Sequence, residues 1–353
     1  MERAFRNGAG HPVTILVEEI PENMKNGPPL YVDYVVAEFR KRGIRFNIVS
    51  YRVPHYRKPL GLQQYGTILW HRLWIRPPSP VHPMYLIVLP PTTKVVTIQS
   101  LTPFRMPPED PIARQLFRMV ERDLLRYPEI YVAVSNTTKR DLHELLGVSL
   151  DSIFVAPPGV DRNEFRPDAG PRPSVMRPDK INLLHVGNGF PRKGIHLLVE
   201  ALGRLDTSRY RLVRAGPLPD PAYSDAYHRR AKELGVDLVE CGYIDRAELP
   251  AYFANSDLLV APSIDEDGPM PPLEAMACGT NVVLSDIPPH RERGGDLAFF
   301  FRSGDAEHLA STIENALQNR RSPDRLRTHA TAYSWGLAAD AYEKAYAQAG
   351  IGL

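Results

Sequence analysis

The stretch "PSIDEDGPMPPLEAMACG" (262–279) sets Glu266 and Glu274 eight positions apart, with Pro269, Pro271 and Pro272 between them. A pair of carboxylates first suggests acid/base hydrolysis. Proline lacks an amide donor and crowds the preceding turn, so one helix cannot run through the whole interval. Helical spacing therefore says nothing about how the two glutamates face each other. Proline suits the first turn of a helix, and a helix starting near Pro272 places Glu274 in that turn. The helix dipole there favours an anion. An ionised carboxylate only accepts hydrogen bonds, which suits sugar hydroxyls better than proton donation. An ordinary N-terminal helix charge gives the same local reading. "DED" (265–267) also contains D-x-D, a spacing found at some metal sites but frequent in surface loops, and no metal is expected on it.

The second chemically loaded segment is "INLLHVGNGFPRKGIHLLVEAL" (181–202), a strand, a glycine-bearing turn and a helix. Gly187 and Gly189 begin a G-x-G, but Arg192 occupies the place where a dinucleotide fingerprint requires glycine. A Rossmann dehydrogenase is disfavoured. Arg192 and Lys193 instead stand just before Gly194 at a helix start, where cations and backbone N–H groups suit a diphosphate. Two exposed basic residues on a loop are the plainer alternative. His185, on an apolar strand, reads as a satisfied core residue, Asp257 as a strand anchor and Glu292 as structural.

These groups need a scaffold. Short apolar runs alternate with amphipathic stretches: "VTILVEEI", "YVDYVVAEFRKRG" and "FNIVSY" first, then "KVVTIQS", "LFRMVERDLLRY", "IYVAVS" and "TTKRDLHELLG". This β-α-β rhythm implies an α/β fold with parallel sheets covered on both faces. Residues 158–180, rich in Pro, Arg and Asp, read as a linker, and the rhythm restarts at "INLLHVG". The expected division is 1–165, 166–333 and a C-terminal helix in 334–353 that packs back on the first domain. With 353 residues and 43% hydrophobic content, two globular domains are the natural reading. Cys241 and Cys278 read as small core residues, not a disulfide framework. The absence of a signal-like or membrane-spanning run in the sequence gives a cytoplasmic expectation.

A net charge of +2 hides an asymmetry. Residues 1–167 hold 22 Lys+Arg against 16 Asp+Glu, and 39–108 hold eleven basic residues and no acid. Arg40, Lys41, Arg42, Arg45, Arg57 and Lys58, with Trp70, Trp74 and Tyr85, suggest an anion-facing surface. The expected partner there is an anionic group, such as a phosphate-linked lipid or the acidic inner face of a membrane, and not a nucleic acid.

The order "VGNGFPRKGIHLLVEAL", "CGYIDRAELPAYFANSDLLVAPSIDEDGPMPPLEAMACGTNVVLSD" and "GGDLAFFFRSGD" resembles glycosyltransferase family 4, with "YVAVSNTTKRDL" and "VAPPGVDRNEFRP" at its domain join. Glu266 and Glu274 then form its E-x7-E signature. The likeness runs over about residues 130–345 and is loose before that. It implies a GT-B fold of two Rossmann-like domains with an interdomain cleft, binding a nucleotide-sugar mainly by the second domain. It further implies a retaining, metal-independent transfer without a cofactor. Glu274 would accept from ribose hydroxyls, Glu266 would contact the donor sugar, and Lys193, helped by Arg192, would neutralise the diphosphate. Gly268, Met270, Leu273, Asn188, Gly189, Gln99 and Gly27 would line the substrate site. The chain departs from the family at Asn188, where many relatives have arginine, and at Pro269, where they have glycine. It also has only Gly27 in "KNGPP", and Gln99–Ser100 in place of a His–Asp pair. A non-catalytic GT-B subunit, a nucleotide-sugar epimerase and a glycosidase are the alternatives.

Overall fold

The computed structural model describes residues 12–19, 27–52, 70, 71, 74, 77–85 and 88–352. Among them the first domain carries six parallel strands: β1 (Val13–Glu18), β2 (Phe46–Tyr51), β3 (Val81–Pro83), β4 (Val95–Ile98), β5 (Ile130–Ala133) and β6 (Ile153–Val155). They form two sheets, β2-β1-β3 and β4-β5-β6, which meet at a single parallel bridge between Val81 and Thr93. Burial of every residue from Val13 to Leu16 and from Val95 to Ile98 is what a parallel sheet covered on both faces demands. Its helices are α1 (Gly27–Lys41), α2 (Thr102–Arg105), α3 (Pro111–Arg126) and α4 (Asn136–Leu146). In α1 the residues Tyr31, Val32, Val35, Val36 and Phe39 make one buried stripe, the spacing of a helix packed on one side.

No helix or strand interrupts residues 156–180, where the linker was expected. The second domain then builds β7 (Ile181–Val186), β8 (Tyr210–Ala215), β9 (Leu238–Gly242), β10 (Leu258–Ala261), β11 (Asn281–Ser285) and β12 (Phe299–Phe301). Between them run α5 (Ile195–Leu202), α6 (Pro221–Leu234), α7 (Leu249–Ala254), α8 (Pro271–Ala277) and α9 (Pro288–Gly294), followed by α10 (Ala306–Gln318). The strand order β12-β11-β10-β7-β8-β9 is all parallel. Direction of winding reverses between β7 and β10, so the crevice for a ligand opens at their carboxyl ends. Asp257 spans that junction, accepting from the Asn182 amide at 2.9 Å and from Arg320 at 2.8 Å.

After α11 (Pro323–Thr331) the chain crosses back, and α12 (Trp335–Gln348) packs on α1, β5 and β6. Trp335, Tyr342 and Tyr346 belong to the same apolar cluster as Val13, Ile15, Tyr31 and Phe39. Buried hydroxyls are matched there: Tyr342 with Thr97 at 2.9 Å and with Tyr31 at 3.0 Å, and Tyr346 with His82 at 2.6 Å. The outgoing and returning chains cross tightly at Gly159, where an added Cβ would lie 2.3 Å from the Trp335 nitrogen. Any side chain there would force the two crossings apart.

Candidate active site

The turn after β7 and the loop after β10 are built against each other. Gly194 has φ +69°, and a Cβ on it would lie 2.1 Å from the Pro262 carbonyl oxygen. A glycine is thus required both by conformation and by space. The Ile264 amide donates to the Arg192 carbonyl at 2.8 Å. Beneath the turn, fully buried Arg214 donates to the carbonyls of Gly187, Gly216 and Pro217 at 2.8–3.0 Å and pairs with Glu240 at 2.7 Å. The outcome is that Lys193 Nζ sits 2.5 Å from Glu266 Oε1, which also accepts from Ser263 Oγ at 2.8 Å. Arg192 Nη1 lies 3.6 Å from Glu266 Oε2 and donates to the Asp265 carbonyl at 3.0 Å. Burial pushes the Glu266 carboxyl up, but Lys193 and Arg192 outweigh it and hold it at about 2. Burial likewise lowers the Lys193 ammonium, with Glu266 opposing.

Glu274 lies in the first turn of α8, as expected, and is 2% exposed. What balances it differs from the expectation. Burial raises its pKa, so the helix start alone does not keep it charged; Arg246 Nη1, 2.7 Å from Oε1, is the compensating cation. That contact is a close charge pair without good hydrogen-bond angles, since Oε1 is otherwise unsatisfied.

The first domain reaches the same loop. Arg105 of α2 pairs with Asp265 at 2.6 Å, Asp267 at 2.9 Å and Asp141 at 2.6 Å. Thr102 Oγ1 donates to Asp265 at 2.5 Å and the Leu101 amide to Asp267 at 3.0 Å. Both D-x-D carboxylates are therefore committed to a cross-domain contact. Glu292 has a structural place too: its oxygens accept from the amides of Asn136 and Thr137 at 3.0 and 3.3 Å, across the domain boundary at the start of α4.

Between these groups lies a cleft of about 230 Å³. Its walls include Lys193, Arg192, Glu266, Glu274, Gly268, Met270, Asn188, Gln99 and Gly27. Two expected residues fall elsewhere. Leu273 is buried in the second domain's core, and Gly189 packs under Leu218, 2.7 Å from where its Cβ would be. Gln99 spends its amide nitrogen on the Met84 carbonyl at 2.8 Å. His185 is only half satisfied: Nδ1 donates to the Val260 carbonyl at 3.1 Å, while Nε2 is buried without a partner, as is Nε2 of His290. Both rings line the cleft, and burial holds them neutral, at about 3 and about 4. Arg246, Arg105 and His290 were not legible as site residues, since each arrives from a separate segment and carries no motif.

The family model for glycosyl transferases group 1 matches residues 171–333, and that for glycosyltransferase family 4 matches 7–164. The chain belongs to glycosyltransferase family 4. A D-inositol 3-phosphate glycosyltransferase of Corynebacterium aurimucosum is 30% identical over 253 residues, 66% of this chain and 60% of that relative's length. Sucrose-phosphate synthase from Thermosynechococcus elongatus has the same fold, with a TM-score of 0.74 at 19% identity over 96% of this chain and 99% of that one. Anabaena HepE, solved with UDP and glucose, superposes with a TM-score of 0.69 at 15% identity over 95% and 99%. The fold of this family-4 chain is accordingly GT-B, two Rossmann-like domains around a cleft.

Proposed function

We propose that this chain is a retaining, metal-independent glycosyltransferase that moves a sugar from a nucleoside diphosphate to an acceptor held on the first-domain side. One observation carries the reading: at the β7/β10 crossover the cleft has a cationic end, Arg192 and Lys193, and a carboxylate end, Glu274 with Arg246. A diphosphate fits the first and ribose hydroxyls the second. In this reading Lys193 and Arg192 strengthen their hold as the diphosphate departs, which is where stabilisation raises the rate. Glu266 accepts from a donor-sugar hydroxyl, and the departing phosphate oxygen takes the acceptor's proton on the same face. With its carboxyl held at about 2, Glu266 is an anion at neutral pH and a poor proton donor, which disfavours a glycosidase acid. The commitment of both D-x-D carboxylates to Arg105 supports cation-only chemistry. UDP and glucose in the HepE structure fit a nucleotide-sugar donor.

The acceptor class in this reading is anionic, free or lipid-linked, but its surface is smaller than composition suggests. Lys41, Arg42, Arg52, Lys94 and Arg105 are each paired with a carboxylate. Arg57, Lys58, Arg72 and Arg76 lie outside the described residues. Arg40, Arg45 and the exposed Trp70 and Trp74 (59% and 65%) remain. Among the described residues no helix is long and apolar enough to cross a membrane. A thermal-shift screen of UDP-, GDP-, ADP- and dTDP-sugars tests the donor reading. A bound donor at 100 times its Kd adds about 2.7 kcal/mol; no stabilisation by any of them, together with no release of diphosphate, removes the reading.

A further inference from the structure

We propose that Arg246 is a positioning residue of the nucleotide site, the counter-charge that seats the Glu274 carboxylate for a ribose, and that both domains build its seat. The inference rests on the nucleotide-sugar reading above. Glu274 is almost sealed from water, and a buried carboxylate without a partner is strongly destabilising. Arg246 is the cation that touches it, at 2.7 Å. Arg246 is itself fixed on several sides. Its guanidinium lies over the Phe165 ring at 4.4 Å, and Nε contacts Glu164 at 2.9 Å and the Tyr34 hydroxyl at 3.1 Å. Tyr34 donates to Glu164 at 2.6 Å and stacks on Trp335 at 4.6 Å, with the rings 7° from parallel. Tyr34 comes from α1 of the first domain, Glu164 and Phe165 from the outgoing crossing, and Trp335 from the returning one. An arginine held only for surface solubility has no need of such a seat.

The charges also orient the ligand. One arginine against two carboxylates leaves this end acceptor-rich, suited to neutral hydroxyl donors and hostile to phosphate. Arg192 and Lys193 make the opposite preference at the other end. The arrangement fixes which way a nucleoside diphosphate lies.

The groups facing Glu274 are Arg246 and Glu164 across the cleft wall, with Cys278 at the end of its own helix. Burial and Glu164 both favour its protonated form, and Arg246 alone among them opposes. Removing Arg246 should therefore push Glu274 further toward its protonated form, which cannot accept from both ribose hydroxyls. Binding of UDP, GDP and ADP would be measured from pH 6 to 9 for the wild type, Arg246→Met, Arg246→Lys and Glu274→Gln. For whichever diphosphate the wild type binds, Arg246→Met should weaken binding roughly tenfold or more near pH 6.5. The affinity should recover as pH rises and Glu274 ionises. Arg246→Lys should keep most of the affinity, and Glu274→Gln should stay weak at every pH. Wild-type affinity in Arg246→Met, or a loss that pH does not change, overturns the proposal.

Should the wild type bind none of the three diphosphates, the nucleotide reading fails first, and denaturant unfolding without ligand then decides the ion pair. A carboxyl whose folded pKa is raised above its unfolded value contributes stability at low pH that is lost as pH climbs. Arg246→Met should thus lose stability as pH rises from 5 to 8, and Arg246→Met/Glu274→Gln should not. Parallel profiles for the two overturn the pairing itself.

Discussion

Lys193 and Glu266 lie 2.5 Å apart, close enough that each sets the other's charge. If Lys193 meets the diphosphate, its contribution grows as that group leaves, so Lys193→Ala should lower kcat roughly tenfold or more. Glu274→Gln should act mainly on nucleotide affinity, seen even with free diphosphate, and equal behaviour of the two variants would contradict the assignment. The same pair gives a pH prediction. Glu266 has an ordinary value of 4.5 and is held at about 2 in the fold. A depressed carboxyl contributes stability that is complete above its unfolded value and is lost as pH falls through the folded one. Urea midpoints of the wild type should drop between pH 4.5 and 2. Glu266→Gln should show a shallower drop over that window.

At the scale of elements, the loop after β10 is strung between two domains. Its own domain grips it through Ser263, Arg192 and Lys193, and α2 grips it through Arg105, Thr102 and the Leu101 amide. Because D-x-D is consumed in this way, any transferase activity should survive excess EDTA. Complete loss with rescue by Mn²⁺ would reassign those carboxylates to a metal. Arg105→Ala removes three charge-assisted contacts from a partly buried site, where such contacts are worth about 1.5–3 kcal/mol each before compensation. Deuterium exchange in 263–270 should rise and kcat fall, with diphosphate affinity held within about twofold, because Arg105 stands outside the cleft wall. A change in affinity alone, with unchanged exchange, would count against the loop's being held from α2.

For the whole molecule, the last helix completes the first domain. Tyr342 and Tyr346 are fully buried there, and Arg42 of the first domain pairs with Asp340 and Glu343 at 2.6 and 2.7 Å. Tyr342→Ala should cost about 3–5 kcal/mol, the range for losing a large buried aromatic. Truncation before Ser334 should leave a protein whose first domain does not fold, measured by loss of one cooperative unfolding transition. The acceptor side makes a separate prediction. Binding to anionic vesicles should weaken steeply with salt, as charges beyond a Debye length of about 8 Å are screened. Charge reversal at Arg40 and Arg45 should reduce it without altering nucleotide affinity. Indifference to anionic vesicles at low salt, with transfer to a small neutral acceptor, would remove the lipid-facing version.

The strand–turn–helix at 181–202 and the proline-broken run at 262–279 could be read without a structure because they are local. Apolar periodicity, a glycine with φ +69° and prolines at a helix start follow from backbone sterics within a few residues. Glu266, Glu274, Arg192 and Lys193 stood out by that route as charged groups at a loop or a helix start, and their roles came only from the likeness to family 4. The terminal helix forms where it was expected, and residues 156–180 carry no helix or strand. Long-range pairing was out of reach. Nothing in "DED" tells that Arg105, 160 positions earlier, would take both aspartates. Nothing in "CGYIDRAELP" tells that Arg246 would meet Glu274, or that Tyr34 would hold it from 212 positions away. The seventy residues without an acid looked uniformly cationic for the same reason: Asp340, Glu343, Asp265 and Glu129 arrive from other segments and pair with Arg42, Arg105 and Lys94. Leu273 and Gly189 sat within the right motifs, yet Leu273 faces the core and Gly189 packs under Leu218, because which side of a loop a residue presents is set by what packs behind it. The sequence determined which groups could meet a phosphate or a hydroxyl. Only the tertiary structure decided which charges were already spent on one another, since a charge's partner depends on distance in space and not along the chain.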